Sequence, residues 1–166
     1  EMTRDIAEKF NNKYGESFVI PEAKIDENVM LIPGIDGNKM SKSMNNFINI
    51  FLPEKQLKKV VMSIVTDDTP LEEPKNPNTC NVFTLYKLLA NEEQVAKMRD
   101  NYAGGNYGYG HAKLALLELI LATFSTQRDT YNHYMENREE LDAKLQVGAD
   151  KARKIAQTTL KRVREK

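Results

Sequence analysis

The sequence has 166 residues and no net charge, because 24 lysines and arginines balance 24 aspartates and glutamates. A chain of this length is about one domain and can bury a real core, and its neutrality excludes bulk attraction to nucleic acid, so a basic surface has to be local. The single cysteine excludes an internal disulfide and fits a reducing cytoplasm, and no apolar run approaches the roughly 20 residues of a membrane span.

The N-terminal segment predicts one helix and, further on, one strand. Apolar side chains recur every four positions over residues 2–14, and Gly15 follows as a C-cap would. The apolar run at residues 29–32, ended by Pro33, predicts a strand buried in a parallel sheet. Because a lone strand cannot bury itself and the chain opens inside a helical pattern, we expect the sequence to be the later part of a longer polypeptide.

From residue 53 onward the pattern is helical. Asn91 precedes one apolar-periodic run as an N-cap does, and Gly148 is expected to break the last stretch into two helices. The predicted helices cover residues 53–65, 80–89, 91–102, 111–135, 138–146 and 150–165. The predicted fold class is therefore mainly α, with one or two strands near the N-terminus.

The loop at residues 34–46 contains the densest set of residues that bind anions. Gly34 and Gly37 give it backbone freedom, and Lys39 and Lys42 are close enough in sequence for both ammonium groups to reach one polyphosphate. A loop that follows a strand of an α/β sheet is a common ligand site. A lysine- and serine-bearing surface loop without function is the competing interpretation, and the pattern is not that of a Walker A loop.

Residues 39–43 read Lys-Met-Ser-Lys-Ser, which matches the second signature of class I aminoacyl-tRNA synthetases. The chain resembles the bacterial tryptophanyl-tRNA synthetases of that class along essentially its whole length. The further blocks are residues 3–11 with 14–15, 33–38, 44–46, 63–67, 106–113 and 148–153. The family's first signature, a His-x-Gly-His-like motif, and its Gly-x-Asp-Gln stretch are absent.

The resemblance implies the C-terminal part of such an enzyme, and an isolated part of this kind is expected to be inactive. Residues 1–48 would be the end of a Rossmann-type catalytic domain that carries the loop. Residues 49–147 would be a helical anticodon-binding domain, and residues 148–166 a basic C-terminal helix. The resemblance also implies a cytoplasmic enzyme that is a homodimer in its full-length form.

The activity that the resemblance implies is the ATP-dependent activation of tryptophan, followed by its transfer to tRNA(Trp). Lys42 is the first choice and Lys39 the second for stabilising the pyrophosphate leaving group. One cysteine and two histidines lack metal-ligand spacing, so no zinc site is expected. Mg²⁺ would accompany ATP, since the sequence offers no dedicated protein cage for it. A glycine-hinged loop that closes on ATP is expected to be weakly ordered when empty. The implied ATP-binding residues are Lys39, Met40, Ser41, Lys42, Ser43 and, against the adenine, Val29 and Met30.

The last predicted helix is strongly basic. Its cations are candidates for contacts with tRNA phosphates, and a solvated helix face is the competing interpretation. The candidates are Lys151, Arg153, Lys154, Lys161 and Arg162.

Two other functions compete with the ligase. A stand-alone helical RNA-binding module would have no use for the retained strand and phosphate loop, and the neutral charge also argues against it. Part of a tyrosyl-tRNA synthetase would have the same layout, and the blocks that flank the loop argue against that alternative.

Overall fold

The computed structural model describes residues 1–24 and 31–165, and within these ranges the chain is helical with no strand. None of the described helices is both long enough and apolar enough to cross a membrane. The seven helices are α1 (Met2–Tyr14), α2 (Glu54–Met62), α3 (Asn81–Leu89), α4 (Glu92–Ala103), α5 (Tyr109–Thr123), α6 (Ser125–Glu136) and α7 (Arg138–Arg164). The mainly α fold class is confirmed.

The predicted strand at residues 29–32 falls partly outside the described residues, since these exclude Val29 and Met30. The other half, Leu31 and Ile32, is irregular and exposed rather than part of a strand. The bridge that follows joins Pro33 to Lys39 in the antiparallel sense and stands alone. A strand needs a neighbour to pair with, and the described chain offers these residues only the far side of their own loop.

The described chain divides into two compact units, residues 31–132 and residues 1–24 with 133–165. The core of the first unit forms where α5 packs against both α2 and α3. Ala112, Leu116 and Ile120 recur every four residues along α5 and are fully or almost fully buried, as expected for a helix with one face in the core. Leu57, Val61 and Ile64 in and after α2 meet this face.

The predicted helix over residues 111–135 is wrong in one respect, because it is two helices. The apolar face of α5 ends at Phe124, which leaves helical geometry, and the polar helix α6 begins at Ser125. Contacts distant in sequence hold α6: Arg128 donates a hydrogen bond to the carbonyl of Ile50, and Tyr131 stacks on Phe51 with ring centres 4.6 Å apart. The helical pattern of the sequence cannot predict these contacts, because their partners are distant in sequence.

The predicted helix break at Gly148 is also wrong, because α7 runs without interruption for 27 residues. An interior glycine costs a helix only about 1 kcal/mol relative to alanine, and helix-forming residues continue on both sides of it. Exposed ion pairs within the helix join Lys144 to Glu140 at 3.1 Å and Arg153 to Asp150 at 2.7 Å. None of the described α7 residues is buried.

Candidate phosphate-binding loop

Backbone hydrogen bonds close the loop at residues 33–46 upon itself. The amide of Gly34 donates to the carbonyl of Asn38 at 2.6 Å, and the amide of Met40 donates to the carbonyl of Ile32 at 2.8 Å. Together with the bridge between Pro33 and Lys39, these bonds form a tight antiparallel turn. The turn presents Lys39 at its far side, at the start of the signature.

Asp36 organises the tip of this turn. Its carboxylate accepts hydrogen bonds from the amide and the side chain of Asn38, both at 3.0 Å, and from the side chain of Asn46 at 2.8 Å. The side-chain hydrogen bonds from Asn38 and Asn46 lower the pKa of Asp36 below its usual value. Asp36 is therefore ionised at neutral pH and acts as an acceptor that braces the loop.

Two glycines are required by the backbone of the loop. Gly37 has φ +82°, a conformation that disfavours side chains, and a Cβ there would lie 2.7 Å from the side-chain nitrogen of Asn81. A Cβ on Gly34 would lie 2.5 Å from the side-chain carbon of Asn46. Besides the backbone freedom expected of them, these glycines leave space that the side chains of Asn46 and Asn81 occupy.

Hydrogen bonds of Asn46 hold the base of the loop, and the expected weak order of the empty loop stays a prediction. Asn46 is only 2% exposed, accepts a hydrogen bond from the amide of Ser41 at 2.8 Å and donates to the carbonyl of Lys39 at 3.1 Å. The turn at residues 42–45 is exposed instead. Asn45, with φ +53°, closes it by donating its amide to the carbonyl of Lys42 at 3.2 Å.

The side chains of the signature divide between the interior and the surface. Met40 is half-buried and packs against the helical core, whereas Lys39, Lys42 and Ser43 are exposed. The hydroxyl oxygens of Ser41 and Ser43 lie 2.8 Å apart. Val29 and Met30, expected near the adenine, lie outside the described residues.

The ammonium groups and backbone amides at residues 39–44 are hydrogen-bond donors that suit an anionic ligand. To the described residues, the ammonium groups of Lys39 and Lys42 make neither hydrogen bonds nor ion pairs. Within the same part of the chain, the amides of Lys42, Ser43 and Met44 also have no acceptor. Successive backbone N–H groups beside lysines form a concavity that binds phosphate oxygens well.

The loop is hydrogen-bonded to the helical part of its own unit. The amide of Val65, after α2, donates to the carbonyl of Ile35 at 2.7 Å. The side chain of Asn81, at the first position of α3, donates to the carbonyl of Val65 at 3.3 Å and also lies against Gly37. The base of the loop is thus connected to the N-terminus of α3.

Sequence reasoning missed Asn46, Asp36 and Asn81 as residues that shape the site. The Asp-x-Asn spacing of residues 36–38 is a turn signal that could have identified Asp36. Asn46 follows the signature by three residues and had no local signal, because its partners lie five to ten residues earlier. Asn81 is more distant still.

Two of the blocks that carry the resemblance meet in the structure. Tyr109 donates its hydroxyl to Asp67 at 2.7 Å, and the ammonium group of Lys113 donates to the carbonyl of Met62 at 3.1 Å. Burial lowers the pKa of Lys113, the main cause being desolvation of its charge. These contacts tie α5 to the last residue of α2 and to the segment that follows it, whose Val65 amide in turn binds the carbonyl of Ile35 in the loop.

The five candidate tRNA-binding cations are all exposed on α7. Arg153 pairs with Asp150 at 2.7 Å and Lys161 lies 3.9 Å from Glu165, whereas the other three make no ion pair within the described chain. Counting about 100° per residue, one face of α7 carries four of the five within an arc of roughly 100°: Lys151, Lys154, Lys161 and Arg162.

Comparison with known proteins agrees with the signature. The family model for class I tRNA synthetases (W and Y) matches residues 1–125. A curated tryptophan–tRNA ligase from Campylobacter jejuni is 47% identical over 166 residues, which cover 100% of this chain and 52% of that protein. The corresponding enzyme from Fusobacterium nucleatum is 48% identical and is covered to 51%, with 99% of this chain matched.

Solved structures give the same relationship. The crystal structure of the tryptophanyl-tRNA synthetase from Campylobacter jejuni, in complex with ADP and tryptophan, matches 98% of this chain and 51% of its own, with a TM-score of 0.85 and 47% identity. The chain thus spans about half the length of the curated relatives it matches. By its signature loop, its helices and these matches, the chain belongs to the class I tRNA synthetases for tryptophan and tyrosine.

Proposed function

We propose that this chain is the part of a tryptophan–tRNA ligase that holds the phosphates of ATP during the activation of tryptophan. In this reaction the carboxylate of tryptophan attacks the α-phosphorus of ATP. The bond from that phosphorus to the bridging oxygen breaks, which yields tryptophanyl-adenylate and pyrophosphate. The tryptophanyl group then passes to a terminal ribose hydroxyl of tRNA(Trp), and AMP leaves as the acyl–phosphate bond breaks. The observation that carries the proposal is the exposed Lys42 turn, whose amides and ammonium group find no acceptor among the described residues.

Lys42 is the residue to which we assign the main catalytic role. Negative charge grows on the pyrophosphate as the bond breaks, so a cation already in place stabilises the transition state more than the ground state. Lys39 supplies a second ammonium group. The side chains of Ser41 and Ser43 and the amides at residues 42–44 orient the phosphate oxygens.

ATP and its ion complete this half of the site. We propose that Mg²⁺ enters bound to ATP, since it is usually held by substrate phosphates and water with few protein ligands. Val29 and Met30 would lie against the adenine, and the tryptophan side chain would be held by residues outside this chain. Residues 1–48 would then be the end of the catalytic domain.

The helical remainder would serve recognition of tRNA(Trp). In this assignment residues 49–147 form the anticodon-binding domain and residues 148–166 the basic C-terminal helix. The exposed cations on one face of α7 support phosphate contacts there. We further propose that the complete enzyme works in the cytoplasm as a homodimer.

The test is Lys42→Ala in the complete polypeptide that carries this chain. We expect tryptophan-dependent exchange of pyrophosphate into ATP to fall by about 100- to 1,000-fold, with little change in the equilibrium binding of tryptophan. Lys58→Ala, which removes an exposed lysine of α2, is the matched control and should keep full exchange. An equal loss of exchange and tryptophan binding in Lys42→Ala would contradict the assignment.

The same assay separates the alternatives. Exchange that depends on tyrosine instead of tryptophan would identify a tyrosyl-tRNA synthetase. No exchange with either amino acid, together with tight anticodon-dependent binding of tRNA, would identify an RNA-binding module.

A further inference from the structure

Asn46 is the buried polar residue at the base of the signature loop. Its side chain is 2% exposed and makes three hydrogen bonds, all within the loop. The carboxamide oxygen accepts from the amide of Ser41 at 2.8 Å. The carboxamide nitrogen donates to the carboxylate of Asp36 at 2.8 Å and to the carbonyl of Lys39 at 3.1 Å.

These bonds fix the backbone on both sides of Met40. The carbonyl of Lys39 and the amide of Ser41 are held by one rigid group, and Lys42 is the next residue. The direction in which the turn at residues 42–45 leaves the base is therefore set by the carboxamide of Asn46. Only a group that both donates and accepts can make this set of contacts: aspartate would lose both donor bonds and face the charge of Asp36.

The surrounding backbone is shaped to admit this side chain. The amide of Ile35 donates to the carbonyl of Asn46 at 2.8 Å, so both ends of the residue are tied to the turn. Gly34 allows the close approach, since a Cβ there would lie 2.5 Å from the side-chain carbon of Asn46. The absence of a side chain at Gly34 thus makes room for the side chain of Asn46.

We propose that Asn46 is a positioning residue for the reaction, which orients Lys42 toward the pyrophosphate without touching ATP itself. This inference rests on the function proposed above. A cation stabilises a transition state only where it is held in place, and a displacement of about 1 Å can cost on the order of 100-fold in rate. Because Asn46 holds the base of the loop, the turn at residues 42–45 leaves that base in one defined direction and does not sample many directions.

The experiment uses the complete polypeptide with Asn46→Ala, Lys42→Ala and the double variant. Active sites are first counted by the burst of adenylate formation, and exchange is then expressed per active site. We expect Asn46→Ala to lower the rate per active site by about 10- to 100-fold. The affinity for tryptophan should stay within about twofold. Asn76→Ala is the matched control, since Asn76 also accepts a hydrogen bond from a backbone amide but lies in an exposed loop distant in sequence.

The double variant tests whether Asn46 acts through Lys42. If it does, adding Asn46→Ala to Lys42→Ala costs little more than Lys42→Ala alone, because the group being positioned is already gone. If the two losses multiply, Asn46 acts independently of Lys42 and the proposal is wrong. A merely structural role would lower the number of active sites or the melting temperature and leave the rate per active site unchanged.

Gly34→Ala provides a second route, because the added methyl group would lie 2.5 Å from both the side-chain carbon and the backbone carbonyl oxygen of Asn46 and so displaces that residue. It should reproduce the loss per active site of Asn46→Ala, and a full rate in both variants overturns the proposal. The function itself is tested separately by the parent protein. If that protein lacks tryptophan-dependent exchange, the proposed function fails, whereas normal exchange in both the parent and Asn46→Ala refutes only the role of Asn46.

Discussion

The hydroxyl of Tyr109 donates a hydrogen bond of 2.7 Å to the carboxylate of Asp67, although 42 residues separate them. Thr69 donates to the same carboxylate through its hydroxyl and its amide. Bonds from Thr69 and then Tyr109 lower the pKa of Asp67. Burial, helped by the bond to Asp67, raises the pKa of Tyr109 from 10.0 to about 12.

This pair predicts a specific sensitivity to alkali. The folded-state pKa of Tyr109 is raised, so its stabilising effect is present below about pH 10 and is lost as the pH rises toward about 12. Urea unfolding of the protein and of Tyr109→Phe at pH 9 and pH 11 measures the difference. We expect the parent protein to lose more stability than Tyr109→Phe across this interval, and parallel losses would contradict the prediction.

Lys75 is a buried charged residue whose ammonium group lies 5.5 Å from the ring centre of Tyr109, and it predicts a loss of stability on truncation. It is 4% exposed, and its ammonium group donates to the carbonyls of three loop residues at 2.9–3.3 Å: Pro70, Leu71 and Glu73. Lys75→Met keeps the length of the side chain and removes the N–H donors of its ammonium group. We therefore expect the free energy of unfolding to fall by about 1.5–3 kcal/mol. Lys58→Met, at an exposed position of α2, is the control and should keep the parent's free energy of unfolding. An equal effect of both variants would refute the role of Lys75.

The start of α4 predicts a smaller effect. Asn91 accepts from the amide of Gln94 and the side chain of Gln94 returns a bond to the amide of Asn91, each at 2.9 Å. Asn91→Ala should cost about 1 kcal/mol, or roughly 2–4 °C in melting temperature. Thermal unfolding followed by circular dichroism checks this, with Asn78→Ala in an exposed turn as the control. A melting temperature equal to that of the parent would show that the cap does not contribute.

The basic face of α7 predicts a change in the salt dependence of tRNA binding. Each phosphate contact contributes about 0.7–0.9 to the slope of log K against log salt. Replacing Lys151, Lys154 and Lys161 by glutamine should therefore reduce the slope by up to about 2–3, measured by filter binding with the complete polypeptide.

The matched control for this face replaces three exposed lysines of the N-terminal segment, namely Lys9, Lys13 and Lys24. It removes the same charge from residues 1–24, which lie outside both segments assigned to tRNA. Equal slopes for the two triple variants would mean that α7 contributes only general electrostatics, and its cations would then be a solvated helix face.

The local elements of the chain could be predicted from sequence because their signals are local. The helix over residues 2–14, the cap at Asn91 and the helix at residues 80–89 are confirmed within a residue. Each depends on side-chain spacing or on a hydrogen bond to a residue three positions away. The signature at residues 39–43 can also be recognised in the sequence, because its residues are consecutive.

One error occurred where a choice depended on contacts distant in sequence, and the other where the local cost of a glycine was overestimated. Phe124 ends α5 where the apolar face stops, and α6 is anchored by Arg128 on Ile50. Gly148, a residue that stops many helices, is tolerated inside α7 because its cost is small compared with that of breaking a long helix. A prediction that considers each residue alone can assess neither the contacts that hold α6 nor the cost of a glycine against that of breaking α7.

Consecutive residues encode the family signature, the chemical character of the loop and most of the helices, so these follow from the order of the amino acids. How the loop is held depends on the folded chain. Asn46 reaches back to Ser41 and Asp36, Asn81 lies against Gly37, and Tyr109 binds Asp67. Such bonds form when the folded chain brings donors to acceptors elsewhere in the sequence, and no spacing of residues in the sequence predicts them.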